Sequence, residues 1–130
     1  MSDDEFDLDA PELTREDLLV LEDPHFTTDD VAVVTGAASG IGRATAVGLA
    51  TNGLAVVGAD VDEDGLAGTD DLVEDVAPEG GFEAVPTDLT DADDVAAMVE
   101  VAAEEGDLRF AANIAGMQHI DSIPDFPAAK

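Results

Sequence analysis

A glycine-rich segment early in the chain has the residue types that could hold a phosphate group. Residues 35–42 read Thr-Gly-Ala-Ala-Ser-Gly-Ile-Gly and follow an apolar, β-branched run. Glycines let a backbone turn sharply and approach a pyrophosphate, and a helix that begins there presents free N–H groups to the anion. No lysine follows the last glycine, so this is not a Walker loop. The alternative is an ordinary tight turn. The residues expected to contact the pyrophosphate side of a dinucleotide are Gly36, Ser39, Gly40, Ile41 and Gly42.

Asp60 is the next residue expected to contact such a ligand. It closes a second apolar run about 20 residues beyond the glycine-rich turn, where a carboxylate can bind the ribose hydroxyls of an adenosine. A carboxylate there repels a 2′-phosphate, and no arginine lies near it in sequence, so NAD is favoured over NADP. The competing interpretation is that Asp60 is one more surface acid, beside Asp62, Glu63 and Asp64.

The composition excludes several other kinds of chemistry. The chain has no cysteine, which removes disulfides, thiolate metal ligands and cysteine nucleophiles. Neither His25 nor His119 stands in a pattern typical of a base or a metal ligand, and no metal site is predicted. Thirty-two acidic residues against four basic ones give a formal net charge of −28, which repels nucleic acid and anionic lipid. No secretory signal or membrane-spanning run is recognised, so we expect a cytoplasmic protein with a small-molecule substrate.

Alternating strands and helices are expected to position the glycine-rich turn and Asp60. Short β-branched runs indicate strands buried on both faces, and apolar residues at helical spacing indicate the segments between them. Gly65 and Gly68 are expected to loosen the second helix, and Thr90 is expected to cap the third, with Asp93 answering it. The predicted strands are 31–35, 54–59, 82–86 and 108–112, and the predicted helices are 40–51, 63–76 and 90–105.

These elements predict the α/β class, as the N-terminal part of a Rossmann-like, doubly wound parallel sheet. About four strands in the order 3-2-1-4 are expected, with ligands bound at the carboxyl ends of the strands where that order reverses. Residues 1–28 are predicted to be an acidic N-terminal extension, in which 11–21 has the pattern of a short amphipathic helix. Residues 29–130 are the predicted NAD(P)-binding Rossmann domain, incomplete at its C-terminus.

The acidic charge indicates adaptation to a very salty cytoplasm. Self-repulsion of this size destabilises a compact state in dilute salt, and concentrated salt screens it. Intrinsic disorder is the competing interpretation of a high net charge. The apolar content of 45% and the periodic segments argue against disorder beyond the first 28 or so residues.

Three motifs together resemble those of classical short-chain dehydrogenases/reductases. The run 35–42 is similar to that family's cofactor motif, and Asp88-Leu89 after the third strand resembles its acidic-aliphatic pair. The run 113–116, Asn-Ile-Ala-Gly, resembles its Asn-Asn-Ala-Gly motif. The resemblance implies hydride transfer between a secondary alcohol and NAD. It also implies that Asp88 and Leu89 contact the adenine, while Asn113, Ala115 and Gly116 line the cofactor channel.

The loop 115–127 is similar to the corresponding loop of D-3-hydroxybutyrate dehydrogenases. There, a glutamine two residues after the glycine helps to hold the substrate carboxylate, and Gln118 occupies that place. This resemblance implies a 3-hydroxy acid substrate. The alternative is that Gln118 and His119 are ordinary surface loop residues.

The sequence departs from the family pattern in its catalytic residues. The family uses a serine, a tyrosine and a lysine four residues after that tyrosine, but this chain contains no tyrosine. Ser122 and the spacing of Phe126 and Lys130 do not replace them, so no catalytic residue is predicted. The alternatives left open are an inactive truncated product, a methyltransferase, and a non-catalytic NAD-binding module. Such a module would form a homo-oligomer or pair with a partner chain through an exposed sheet edge.

Overall fold

The computed structural model describes residues 13–116, in which four strands alternate with three α-helices. The order of these elements follows the alternation of buried β-branched runs with amphipathic segments. Within the described residues the elements are β1 (Asp30–Thr35), α1 (Gly40–Thr51), β2 (Ala55–Asp60), α2 (Glu63–Val76), β3 (Gly81–Pro86), α3 (Ala92–Glu105) and β4 (Asp107–Asn113).

The strands form one parallel sheet in the order β3-β2-β1-β4, which confirms the predicted order 3-2-1-4. Thr35, the last residue of β1, is in register with Ala59 of β2 and Asn113 of β4. The residues that follow β1, β2 and β4 therefore emerge at the same edge of the sheet. The order reverses between β1 and β4, which is where such sheets bind ligands.

Helices cover both faces of the sheet. On one face, α1 and α2 pack against residues such as Ala32, Val34 and Val56, and the fully buried Leu54 and Leu66 belong to this cluster. On the other face, Met98 and Ala102 of α3 pack against β1 and β2. All six residues of β1 are buried, as the apolar run predicts for a central strand.

Two of the three helices have their predicted bounds, and the third differs from the prediction at its start. Helix α2 spans the predicted residues, and within it Gly65 and Gly68 each make room for a neighbour. A Cβ at Gly65 would lie 2.7 Å from the Cβ of Ala38. Asp91, not Thr90, caps α3, and its side chain accepts from the N–H groups of Asp93 and Asp94. The Thr90 hydroxyl instead donates to Asp88, 2.6 Å away.

The part of the acidic extension that is described, residues 13–28, lies against the domain. Only Arg15–Asp17 forms a helical turn, of the 3-10 type, so the predicted amphipathic helix is wrong in its described part. Tertiary contacts compete with it: Leu18 and Phe26 pack against the core cluster. The side chain of Asn52 also bonds the backbone of this segment, at Leu19 O and Leu21 N.

The described residues end at an exposed edge of the sheet. Strand β4 pairs with β1 on one side, and four of its first five residues are exposed or nearly so. Leu108 on β4 and Val99 on α3 are 40% and 42% exposed. Across residues 13–116, no helix is long and apolar enough to cross a bilayer, and no cluster of three or more histidine or acidic side chains could hold a metal ion.

Candidate functional site

A cleft of about 730 Å³ opens at the carboxyl ends of the strands. It brings together nine of the residues singled out from the sequence: Gly36, Ser39, Ile41, Gly42, Asp60, Asp88, Leu89, Ala115 and Gly116. Two others do not line it: Gly40 faces a separate groove, and Asn113 is exposed at the end of β4. Gln118 lies outside the described residues. Four further residues line the cleft that the sequence did not mark as ligand contacts: Val61, Thr87, Thr90 and Ile114.

The glycine-rich turn is tight enough to require its glycines at two positions. Gly36 has a φ of +73°, and a Cβ there would lie 2.9 Å from the amide nitrogen of Ala115. A Cβ at Gly42 would overlap the carbonyl oxygen of Gly36. The turn is tied to the sheet, because the N–H groups of Gly36 and Ala37 both donate to Ala59 O. Glycine therefore brings the start of α1, β1 and the 114–116 loop within van der Waals distance.

The N-terminus of α1 differs from those of the other two helices. Asp62 caps α2 and Asp91 caps α3, and each of these helices has two acidic residues in its first turn. In α1 the Ser39 side chain makes no cap bond, and the first turn contains no acid. This absence stands out in a chain with 32 acidic residues. No carboxylate of its own first turn neutralises the positive end of the α1 dipole, and Ser39, Ile41 and Gly42 at that end line the cleft, as expected of an anion-binding site.

Asp60 is fixed in place at the end of β2. One carboxylate oxygen accepts from the N–H of Ala38, 3.2 Å away, and the other accepts from the N–H of Asp62, 3.1 Å away. The residue is half-buried and lines the cleft. Each carboxylate oxygen can accept a further hydrogen bond. Asp60 can therefore receive hydroxyl donors without moving from the position that the turn gives it.

The opposite wall is formed by the residues after β3 and β4. The Thr35 hydroxyl accepts from the N–H groups of Ile114 and Ala115, at 3.0 and 3.2 Å, which holds this loop beside the turn. Asp88 accepts from both the hydroxyl and the N–H of Thr90. These bonds lower the pKa of Asp88, the hydroxyl contributing most, so its carboxylate stays ionised. Only the tertiary fold shows that Thr35 holds this loop.

No lysine or arginine appears among the lining residues, all of which lie within the described part of the chain. The three arginines bond elsewhere: Arg15 to Val76 O and Glu79, Arg43 to the 37–38 loop and α2, and Arg109 to Asp30. An anion in this cleft would therefore be bound by backbone N–H groups and the α1 dipole.

Comparisons with known proteins identify the family. The family model for short chain dehydrogenases matches residues 30–130. A cis-4-hydroxycyclohexanecarboxylate dehydrogenase from Sinomonas cyclohexanicum is 53% identical over 77 residues, which are 58% of this chain and 29% of that protein.

Two solved structures show the same fold. A short chain dehydrogenase/reductase from Burkholderia phymatum in complex with NAD has a TM-score of 0.56 and 41% identity, over 62% of this chain and 28% of that one. The L-sorbose reductase of Gluconobacter frateurii, complexed with NADPH and L-sorbose, has a TM-score of 0.68 and 30% identity, over 79% of this chain and 39% of that one. The chain thus spans less than half the length of each of these relatives. The family match covers most of the chain, which belongs to the short-chain dehydrogenase family.

Proposed function

We propose that these residues form the NAD-binding part of an oxidoreductase that transfers hydride between a secondary alcohol and NAD. The observation that carries the proposal is the convergence of two features in one cleft. The α1 N-terminus, free of acids and side-chain caps, opens beside the fixed carboxylate of Asp60. The first suits a pyrophosphate, and the second suits a ribose diol.

The residues present fit NAD in their chemistry. Backbone N–H groups at Ser39, Ile41 and Gly42 would hold the pyrophosphate, and Asp60 would accept the ribose hydroxyls and oppose a 2′-phosphate. By the family resemblance, Asp88 and Leu89 would contact the adenine, and Ala115 and Gly116 the nicotinamide side. When bound, NAD supplies the hydride acceptor. The proton carrier of the family is a tyrosine, and these 130 residues contain none, so they would bind and orient but not move the proton.

The proposed substrate class is a 3-hydroxy acid such as 3-hydroxybutyrate. The support is the resemblance of the 115–127 loop, in which Gln118 would hold the carboxylate. The Sinomonas relative is also named for a substrate that carries both a hydroxyl and a carboxylate. The charge of −28 supports a cytoplasm rich in salt as the working environment.

Calorimetric titration of NAD and NADP into the protein in concentrated potassium chloride tests the proposed cofactor. We expect saturable binding of NAD and weaker binding of NADP. Asp60→Ala should weaken NAD binding and reduce the preference over NADP. Asp71→Ala is the matched control, because it removes the same charge from an exposed position on α2. A folded protein that binds neither dinucleotide contradicts the proposal.

A second proposal concerns the exposed edge at β4. Among residues 13–116 no strand pairs with the outer side of β4, and this edge, with the exposed Leu108 and Val99, favours pairing with another copy or another chain. Light scattering over a range of protein concentrations tests this, and a monomer at every concentration would contradict self-association.

A further inference from the structure

Arg43, one residue beyond the last glycine of the turn, has its guanidinium hydrogen-bonded between the turn and α2. Its Nε donates to the Thr69 hydroxyl at 2.9 Å. Its Nη2 donates to the carbonyl oxygens of Ala38 and Gly65, at 2.6 and 2.8 Å. One side chain thus joins the cofactor turn to α2, and none of these bonds reaches the cleft.

Thr69 extends the same arrangement by one residue. It is fully buried, and its hydroxyl donates to Ala37 O, 2.7 Å away, while it accepts from Arg43. The carbonyls of two consecutive residues, Ala37 and Ala38, are therefore held on the α2 side of the turn.

The planar trans peptide bond links the direction of each carbonyl to the direction of the N–H that follows it. In a trans peptide the C=O and the following N–H point in opposite directions, and no described peptide is cis. The Ala37–Ala38 peptide shows the effect, because its carbonyl meets Thr69 while its N–H donates to Asp60. By the same geometry, a bond from Arg43 to Ala38 O directs the N–H of Ser39 away from α2, and Ser39 lines the cleft.

The glycines of α2 make room for this arrangement. A Cβ at Gly68 would lie 2.9 Å from Nη2 of Arg43, and a Cβ at Gly65 would lie 2.8 Å from Ala38 O. Glycine at each of these positions lowers the stability of the helix by about 1 kcal/mol relative to alanine. Glycine at these two positions of α2 thus leaves the space that the Arg43 guanidinium and the Ala38 carbonyl occupy.

We propose that Arg43, with Thr69, is a positioning residue that aims the Ser39 N–H at the cleft and thereby sets the affinity for a dinucleotide pyrophosphate. The proposal rests on the proposed NAD site and adds to it a residue that does not line the cleft. Among residues 13–116 no lysine or arginine lines the cleft, so within this part of the chain backbone N–H groups supply the recognition and their orientation is decisive.

The test compares ligands with and without the pyrophosphate. NAD and ADP-ribose are titrated by calorimetry in concentrated potassium chloride, and adenosine binding is followed by saturation-transfer NMR. In Arg43→Gln we expect the affinities for NAD and ADP-ribose to fall by about tenfold, the value of one charge-assisted hydrogen bond, with adenosine binding unchanged. Arg43→Lys should lose nearly as much, because an ammonium group cannot reach all three oxygens at once.

Gly68→Ala is the second variant, in case Arg43→Gln does not fold. It keeps the arginine, and only the end of a flexible side chain must move, so stability should hold while the affinity for NAD falls. Arg15→Gln is the matched control, because it removes the same charge at a residue that bonds Val76 O and Glu79, away from the turn.

Given a wild-type protein that binds NAD, two results for the Arg43→Gln and Gly68→Ala variants would overturn the inference alone. One is a folded Arg43→Gln or Gly68→Ala variant that binds NAD as tightly as wild type. The other is an equal loss of adenosine and ADP-ribose binding, which would indicate a general structural role. Full affinity for NAD in Arg43→Lys would mean that the charge at residue 43, and not the direction of the Ser39 N–H, sets the affinity. That result would also overturn the inference. A wild-type protein that binds no NAD would overturn the proposed function, and this inference with it.

Discussion

Gly42 and Gly48 lie in the same helix, but only Gly42 is required by its surroundings. A Cβ at Gly42 would overlap Gly36 O, whereas a Cβ at Gly48 would meet nothing within 4 Å. We expect Gly42→Ala to force the turn open, to cost about 1–3 kcal/mol of stability, as overpacking typically does, and to abolish NAD binding. Gly48→Ala should stabilise the protein by about 0.4–1 kcal/mol and leave binding unchanged.

Urea denaturation gives the free energy of unfolding of both variants, and calorimetry gives their affinities for NAD. Gly48→Ala serves as the control for the general effect of alanine in this helix. If both variants bound NAD equally well, the contact of Gly42 with Gly36 would have no functional meaning.

The positions of the glycine-rich turn and Asp60 in the cleft could be predicted from the sequence, because they follow from backbone conformation and from position after a strand. Thr35 and Thr87 could not, since their contributions depend on which loops the sheet brings together. For Gly40 and Asn113 the motifs predicted a place in the cleft that the structure does not give them. Both belong to recognisable motifs, but the structure places them outside the lining of the cleft.

The start of α3 is fixed by Asp91, whose carboxylate satisfies two N–H groups of the first turn. Removing a carboxylate cap costs about 1 kcal/mol, within a range of about 0.5–2. We therefore expect Asp91→Ala to destabilise the protein by that amount. Thr90→Ala should cost less, because the Thr90 hydroxyl bonds Asp88 and not the helix. Parallel urea denaturation of the two variants measures the difference, and a larger loss in Thr90→Ala would mean that Thr90 is the cap.

The pair Asp30 and Arg109 joins the central strand β1 to the edge strand β4. Hydrogen bonds from Arg109, and then from Thr27, lower the pKa of the buried Asp30 carboxyl. Because the folded pKa lies below the unfolded value of about 4, this stabilisation is present above pH 4 and is lost as pH falls through the folded pKa.

Asp30→Asn should therefore be less stable than wild type near neutral pH, and the two should converge in acid. The measurement is the free energy of unfolding from pH 7 downward in concentrated potassium chloride, which screens the general charge. Asp71→Asn, at an exposed site, is the control. A difference between wild type and Asp30→Asn that did not shrink in acid would contradict the role of this ion pair.

Helix and strand positions followed from periodicity to within a few residues, since amphipathic segments and buried β-branched runs have few alternative structures. The conformation of the N-terminal segment did not follow from periodicity, although residues 11–21 show a helical pattern. Leu18 and Phe26 pack against the core cluster instead, and the side chain of Asn52 bonds the backbone at Leu19 and Leu21. Such competition between local pattern and tertiary contact cannot be judged within the segment itself.

Charge acts on the molecule as a whole. The formal net charge is −28, and all three arginines are engaged in contacts within the fold, so the surface acids are scarcely neutralised. The same negative field acts on an incoming dinucleotide, whose pyrophosphate must approach a cleft that contains Asp60 and Asp88. Salt should therefore affect both folding and binding.

We expect the free energy of unfolding and the affinity for NAD to rise together as potassium chloride is raised from about 0.1 M to about 1 M. Over that range the Debye length falls from about 10 Å to about 3 Å, which screens repulsion among the exposed acids. The measurements are urea denaturation and calorimetric titration at each salt concentration. A variant that neutralises four exposed acids, with the substitutions Asp71→Asn, Glu74→Gln, Glu100→Gln and Glu104→Gln, tests the cause. Its stability in dilute salt should exceed that of wild type, and its salt dependence should be shallower. If this variant kept the full salt dependence, the effect would come from salt exclusion at the protein surface and not from screening of charge.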